Sequence, residues 1–420
     1  MENTTTISSS ISLSTFDRLY KKLVFGALNT LEIGKVVLVE GNQKYCFGES
    51  ETSLSVDIQV HSAQMYKLFA LGGSVGAGES YILGHWSCSD LTKLIEIFVL
   101  NQAQLDAFEH KFAFFSGIAN KIKHLKNKNS KQGSKRNIVA HYDLGNDLYE
   151  SFLSEEMLYS SAVYPSKEAS LEEAQQHKLA AICERLDLQA TDKVVEIGTG
   201  WGAFAVYAAK NHGCHITTTT ISEEQHAYAK TLIEKEGLQQ HITLLKKDYR
   251  ELDGQYDKLV SIEMIEAVGH AYLSGFFAKC NDLLKPTGAM LIQAITIACQ
   301  RYQHYLKQSD FIQQYIFPGG CLPSVSEMSK QIVNSTDMVV HELHDIGLHY
   351  ARTLYDWRVR FEKAWPSLDG KRFDERFYRL WQFYLCYCEG AFKQRATSAI
   401  HIVARKPRYQ SNVCTQTLDY

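Results

Sequence analysis

The sequence predicts a doubly wound α/β domain behind a smaller N-terminal α+β domain, and three observations carry that expectation. Strand-like runs alternate with helical runs from about residue 190 to 300. The first of those strands runs into a glycine-rich turn. A short alternating segment near the N-terminus is set apart from them by a basic stretch without acids. Regular alternation is the signature of a parallel sheet covered by helices on both faces, because each crossover returns the chain through a helix.

Length and composition agree with two folded domains. The chain has 420 residues, 45% hydrophobic and 22% charged, with only 6 Pro, which is the profile of a globular protein rather than a disordered one. Its formal charge of −3 provides no global positive field, so nucleic acid is not an expected partner. Ten cysteines without a C-x-x-C pair point to reduced thiols in a cytosol. The first 20 residues lack the charged and apolar regions of a signal peptide, and no apolar run is long enough to span a bilayer. The expected location is cytoplasmic, with peripheral contact at the inner face of the membrane.

Residues 31–60 alternate apolar and polar positions around the turn signals GNQ and GES, which predicts a β hairpin or meander. From Ser62 to Gln104 the spacing becomes helical, broken by Gly72, Gly73, Gly76 and Gly78. Residues 1–120 are thus read as one domain. The segment KIKHLKNKNSKQGSKR carries seven Lys or Arg and no acid, so 121–137 is read as a linker, either a solvated connector or a docking element for anionic lipid headgroups. The larger domain is placed at 138–408 and a tail at 409–420. Its elements are KVVEIG with a helix from Ala203, HITTTT with a helix from Ser222, ITLLKKD, DKLVSIEM with a helix, and GAMLIQAITI.

The turn after the first strand reads Glu196-x-Gly198-x-Gly200-x-Gly202. Glycines let a backbone pass close to a ligand, and open α/β sheets bind ligands at the carboxyl ends of their strands. A dinucleotide fingerprint would place its third glycine at Ala203, whereas here it comes at Gly202. An acid before the first glycine also suits a methionine ammonium better than a pyrophosphate. S-adenosylmethionine therefore outranks NAD, although the second strand ends in Thr220-Ile221-Ser222 rather than in an acid for the ribose.

Four segments in order, HYDLGNDLYESFLSEEMLYSSAVY at 141–164, the glycine turn with TISEEQ at 220–225, SIEMIEAVG at 261–269 and DFIQQYIFPGGCLPS at 310–324, resemble the cyclopropane fatty acid synthase family, which includes the mycolic acid methyltransferases. The resemblance covers about 138–405 and, less strongly, GSVGAGESYILGHW at 73–86. It implies a Rossmann-like methyltransferase domain and surrounds S-adenosylmethionine with Tyr159, Ser160, Gly198, Gly200, Thr220, Ile221, Gln225 and the turn Asp248-Tyr249-Arg250, to which the reading of the glycine turn adds Glu196 and Gly202. Tyr249 or its neighbours would cover the adenine.

The same resemblance implies a bicarbonate ion acting as base. The family holds it with a Cys, a Glu, a His, a backbone group and a Tyr, where this chain has Ser161, Glu266, Gln293, Ile295 and Tyr350. Two side-chain ligands thus differ, while Gln and Ser still offer hydrogen-bonding groups. Glu266 would orient the ion or act as base itself if burial raises its pKa. The family's reactive-site cysteine corresponds to Cys388, in an aromatic-rich helical stretch where a free Cys is as a rule a small buried hydrophobe. His141 and Asp143 either serve the site or fix the entrance helix.

The implied reaction joins the sulfonium methyl to the cis double bond of an unsaturated phospholipid acyl chain. Deprotonation of the new methyl closes a cyclopropane ring. Loss of a proton elsewhere, or a hydride shift, gives a methyl-branched or methylene product. A cation in an apolar tunnel gains from aromatic faces. Nine rings between Tyr315 and Phe392 are candidates, with Tyr350 and Tyr315 foremost. The alternatives are a fatty acyl C-methyltransferase without ring closure and a non-catalytic lipid-binding protein of the same fold. Family resemblance also suggests a homodimer. No metal is expected, since His270, His341, His344 and His349 lack ligand spacing.

Overall fold

The structure, a computed structural model, describes residues 14–112 and 145–410. The basic linker, His141 and Asp143 lie outside the described residues. The N-terminal part opens with helix α1 (Thr15–Leu28), started by a Ser14–Asp17 capping box. Strands β1 (Lys35–Glu40) and β2 (Gln43–Gly48) form the expected hairpin. β3 (Ser55–Val60) then pairs parallel to β1 on its other side, and β4 (Trp86–Cys88) completes the order β2-β1-β3-β4. The segment is therefore not a meander. β1 is central, and Val36 and Leu38 are fully buried in the core, so the strand is better satisfied with a neighbour on each edge.

Helix α2 (Gln64–Ile82) bends at Gly73, whose φ of 52° and ψ of −134° are open to glycine. It is followed by α3 (Leu91–Leu100) and α4 (Gln102–Phe112). The predicted glycine interruption is thus a kink in one helix, and the short strand β4 is an addition.

The second part is built on seven strands: β5 (Lys193–Ile197), β6 (His215–Thr219), β7 (Ile242–Leu245), β8 (Tyr256–Ile262), β9 (Leu284–Ile297), β10 (Val339–Asp345) and β11 (Thr397–Arg405), in the order β10-β11-β9-β8-β5-β6-β7. β5 to β9 pair in parallel, and β11 runs antiparallel to both neighbours. The five predicted strands are all present. β6 leads through the N-cap Ser222 into a helix, as expected. Register positions the site: Glu196 lies beside Val260, Ile262 beside Gln293, and Gln293 opposite His401. The carboxyl ends of β5 and β8 and the middle of β9 therefore meet on one rim.

The helices that matter for the site are α5 (Asn146–Glu150), α6 (Leu171–Arg185), α7 (Ala203–His212), α8 (Glu223–Lys235), α9 (Leu273–Leu283), α10 (Tyr302–Tyr305), α11 (Phe311–Tyr315), α12 (Val325–Ser335), α13 (Gly347–Ala364) and α14 (Glu375–Lys393). α14 packs against α13 and also against α2 and α3 of the N-terminal part. A single hydrophobic cluster runs from Val36, Leu38 and Trp86 to Phe152, Trp357 and Trp381. Polar contacts reinforce it: Tyr81 donates to Gln382 Oε1 at 2.6 Å, and the buried Glu389 accepts from Thr92 Oγ1 at 3.2 Å and Arg358 Nε at 3.1 Å. Tyr409, where the tail was expected to begin, accepts from Lys258 Nζ at 3.3 Å. Among the described residues no helix is long and apolar enough to cross a membrane.

Candidate active site

One cavity of about 1310 Å³ extends from the glycine turn to the N-terminal helices, larger than a site for one drug-sized ligand needs to be. At one end lie Tyr159, Ser160, Glu196, Gly198, Gly200, Thr220, Ile221, Gln225, Asp248, Tyr249 and Arg250. The structure thus brings eleven of the twelve expected cofactor residues to one wall. Gly202 is the exception. It caps α7 with φ 99°, and an added Cβ would lie 3.2 Å from Ala229 Cβ, so its smallness serves helix packing. Gly200, at φ 52°, has nothing within 4 Å of where a Cβ would stand, which leaves an open cradle.

Glu196 is 2% exposed and accepts from Thr218 Oγ1 at 2.6 Å. Burial pushes its carboxyl up to about 8, opposed by that hydrogen bond. A buried acid on an open glycine turn is complementary to a ligand cation, so these residues fit the amino-acid end of S-adenosylmethionine. Thr220 donates to Gln225 Oε1 at 3.0 Å, and Asp248 holds Arg250 through both oxygens at 2.7 and 2.6 Å, which fixes the opposite side of the turn.

Deeper in, the end of β8 leads to two half-buried carboxyls, Glu263 and Glu266, and both line the cavity. Glu266 Oε1 accepts from the Ile295 N–H at 2.5 Å, while its Oε2 is buried without a partner. Burial, then the neighbouring Glu263, push the Glu266 carboxyl up to about 8. Glu263 has three donors: the Ser161 N–H at 2.9 Å and Gln293 Nε2 at 2.7 Å to Oε1, and Tyr350 Oη at 2.7 Å to Oε2. Burial raises its pKa, and the three donors and the Lys178 ammonium oppose that rise. Lys178 is itself fully buried, donates to Ser160 Oγ at 2.8 Å, and is pushed down to about 7 by burial.

Of the five groups expected around bicarbonate, Glu266, Ile295 and Tyr350 line the cavity, whereas Ser161 and Gln293 do not. The Ser161 hydroxyl donates to the Ala162 carbonyl at 3.0 Å. The Gln293 amide is clamped, with Nε2 on Glu263 and Oε1 accepting from His401 Nε2 at 2.9 Å. Burial pushes the His401 imidazole down to about 3, which keeps it neutral. The residues do not fit an ion, because a carboxylate of the chain already occupies the focus of their donors.

Sequence reasoning passed over Glu263 and Lys178. Glu263 stood in plain view in SIEMIEAVG, an acid one residue beyond a buried strand, but its left-handed backbone, φ 49°, and its donors come from distant segments.

Beyond the carboxyls the wall becomes apolar. Tyr159, Phe317, Tyr350, Phe383, Tyr384 and Phe392 line it, joined by Leu28, Phe69, Ala77, Leu94, Ile95 and Phe98 from α1, α2 and α3. Tyr159 and Tyr384 share a hydroxyl hydrogen bond at 2.9 Å, and Tyr350 packs on Phe392 with ring centroids 4.5 Å apart. Tyr315, expected foremost beside Tyr350, is not on the wall, because its hydroxyl bonds Glu79. Cys388 lines the cavity, and burial pushes its thiol well above the usual range, so it forms wall rather than nucleophile. Among the described residues no cluster of His, Cys, Asp and Glu has the arrangement to hold a metal.

The family model described as mycolic acid cyclopropane synthetase matches residues 129–402. The chain is 38% identical over 345 residues to the cyclopropane-fatty-acyl-phospholipid synthase of Escherichia coli, covering 82% of this chain and 86% of that one. It is 36% identical over 328 residues to the tuberculostearic acid methyltransferase of Mycobacterium tuberculosis, with 76% of each covered. Among solved structures, the cyclopropane synthase MmaA2 from Mycobacterium tuberculosis superposes with a TM-score of 0.61 at 26% identity, covering 65% of this chain and 98% of that chain. The mycolic acid cyclopropane synthase CmaA1, complexed with SAH and CTAB, gives 0.59 at 25% identity, with 65% and 98% covered. With its seven-stranded sheet, glycine turn and long apolar cavity, the chain belongs to the mycolic acid cyclopropane synthetase family and is an S-adenosylmethionine-dependent methyltransferase of lipids.

Proposed function

We propose that this enzyme transfers a one-carbon unit from S-adenosylmethionine to the cis double bond of an unsaturated phospholipid acyl chain, with cyclopropane formation as the outcome. The observation that carries this reading is the continuity of one cavity between a polar cradle at Glu196–Gly200 and an apolar wall reaching α1 and α3. A cation acceptor and a greasy sleeve in line are what a sulfonium donor and an alkyl chain require.

The chain's residues divide the work. Glu196 and the turn hold the amino-acid end of the donor, and Asp248 and Tyr249 close on its nucleoside. The apolar wall excludes water from the cationic carbon, which would otherwise be captured as an alcohol. Rings at Tyr159, Tyr350 and Phe392 offer their faces to that charge, each worth about 0.5 to 2 kcal/mol. Glu266, Tyr350 and the wall residue Cys388 stand at the junction of the two ends, with Ser161 and Gln293 acting one layer behind.

A second reading, methyl transfer without ring closure, is favoured by the similarity to a tuberculostearic acid methyltransferase. Both readings place the protein at the inner face of the membrane, with the basic linker meeting anionic headgroups. The test is incubation with S-adenosylmethionine and vesicles of unsaturated phospholipid. We expect a mass gain of one methylene per chain and cyclopropyl protons at high field in NMR. Product with a methylene or methyl branch selects the second reading. Donor binding with no lipid product under any vesicle composition overturns both.

A further inference from the structure

We infer that Glu263 is the resident base of this enzyme and that its carboxylate replaces a bound bicarbonate ion. The inference rests on the proposed reaction and deepens it by naming the atom that receives the proton.

Ser161, Gln293 and Tyr350 are positions expected to hold the ion, and all three instead donate to Glu263, Gln293 and Tyr350 with their side chains at 2.7 Å each and Ser161 with its main-chain N–H at 2.9 Å. A carboxylate has about four acceptor sites, two on each oxygen. Oε1 takes two hydrogen bonds and Oε2 takes one, which leaves one acceptor site on Oε2 beside the cavity that Glu263 lines. The amide of Gln293 cannot turn its oxygen toward the acid, because that oxygen is committed to His401. The site thus presents donors to this group.

The backbone argues the same way. Glu263 is one of four non-glycine residues at positive φ among those described, a conformation that persists only where the surroundings enforce it and that gathers at functional sites. It follows Ile262, the strand partner of Gln293, and its N–H donates to the Gln293 carbonyl at 2.8 Å, which puts it at the carboxyl end of β8, on the rim where Glu196 also ends. Glu266 is the rival base. Its Oε1 accepts one N–H and its Oε2 has no partner, so of the two acids Glu263 has the environment that favours the anion, and Glu266 the one that favours the neutral acid.

The step balances. The alkene electron pair forms the new C–C bond as the S–CH3 bond breaks, and S-adenosylhomocysteine leaves. A C–H bond of the new methyl then gives its electrons to close the ring, and its proton passes to Glu263 Oε2. After product departs, the acid returns that proton to water.

The experiment compares wild type with Glu263→Gly in sealed, carbon-dioxide-free buffer, with and without added bicarbonate or formate. Glycine suits the left-handed backbone, so the variant keeps the fold. Binding of 13C-bicarbonate is followed separately by carbon NMR, which needs no turnover. We expect wild type to turn over equally with and without bicarbonate and to bind none. Glu263→Gly should lose about 10² to 10⁴-fold in kcat, bind bicarbonate, and regain turnover when bicarbonate or formate is added. Bicarbonate bound by wild type, a wild-type requirement for it, or a fully active Glu263→Gly variant in its absence overturns the inference. If no lipid is modified at all, the proposed reaction fails, and the NMR comparison alone still decides whether Glu263 excludes the ion.

Discussion

Replacement of Glu196 by glutamine should change how donor affinity depends on pH. The carboxyl is 2% exposed and pushed up to about 8 by burial, so without ligand it is mostly protonated at neutral pH. Pairing with an ammonium requires it to ionise. At one pH unit below its pKa that costs about 1.4 kcal/mol, or tenfold in affinity, and at two units about twice as much in free energy. Wild-type affinity for S-adenosylmethionine should therefore climb about tenfold per unit between pH 6 and pH 7.5, with about one proton released on binding.

Glu196→Gln has no such cost, but it loses a hydrogen bond to a charged group worth about 1.5 to 3 kcal/mol. The two proteins should bind within a few fold of each other near pH 6, whereas near pH 8 wild type should lead by about 10- to 150-fold. Calorimetry in buffers of differing ionisation enthalpy reads both affinity and proton count. A variant that keeps the wild-type slope, or a wild type with a flat profile, refutes the assignment of the ammonium partner.

The remaining predictions concern stability and the carboxyl cluster. Glu196 and Glu266 have folded pKa values near 8 against 4.5 for the free side chain. Their contribution is therefore fully present below about pH 4.5 and lost as pH rises through 8, so thermal stability without ligand should fall across that window and fall less in Glu196→Gln and Glu266→Gln. Tyr350→Phe removes the donor to Glu263 Oε2 and should lower kcat about 10- to 150-fold, with little change in donor affinity measured by calorimetry. Glu389→Ala strips the buried partner of Arg358 and Thr92 and should cost about 3 to 5 kcal/mol in chemical denaturation. Gly78→Ala, ordinarily favourable in a helix by about 1 kcal/mol, should instead destabilise, because its Cβ would come within 2.5 Å of Phe311; a rise in melting temperature would contradict the packing described.

The parallel core and the cofactor turn were legible because both are local. A buried strand, three glycines and the cap at Ser222 write their periodicity and their turns into adjacent residues. β10 and β11 were not, since VVHELHD is an exposed edge with no apolar alternation, and the partner of β11 is β9, about a hundred residues earlier. Glu266, Tyr350 and Cys388 were found through the family resemblance and do share a wall. Ser161 and Gln293 match the family's positions but stand behind the wall, because a third residue, Glu263, takes the Gln293 amide and the Ser161 main-chain N–H, and the Ser161 hydroxyl turns to the Ala162 carbonyl. Tyr315 was misjudged for a similar reason, since its hydroxyl partner Glu79 lies in the other half of the chain.

The walls of the sleeve come from segments about three hundred residues apart, α1 to α3 on one side and α14 on the other, locked by Glu389 and the close approach of Gly390 to Ile95. Every residue of the donor cradle precedes α14 in the chain, yet Tyr159 of the cradle is tied to Tyr384 of α14. The same late helix that closes the hydrocarbon channel therefore also braces the donor's berth, so sulfonium and double bond are brought together by one docking event.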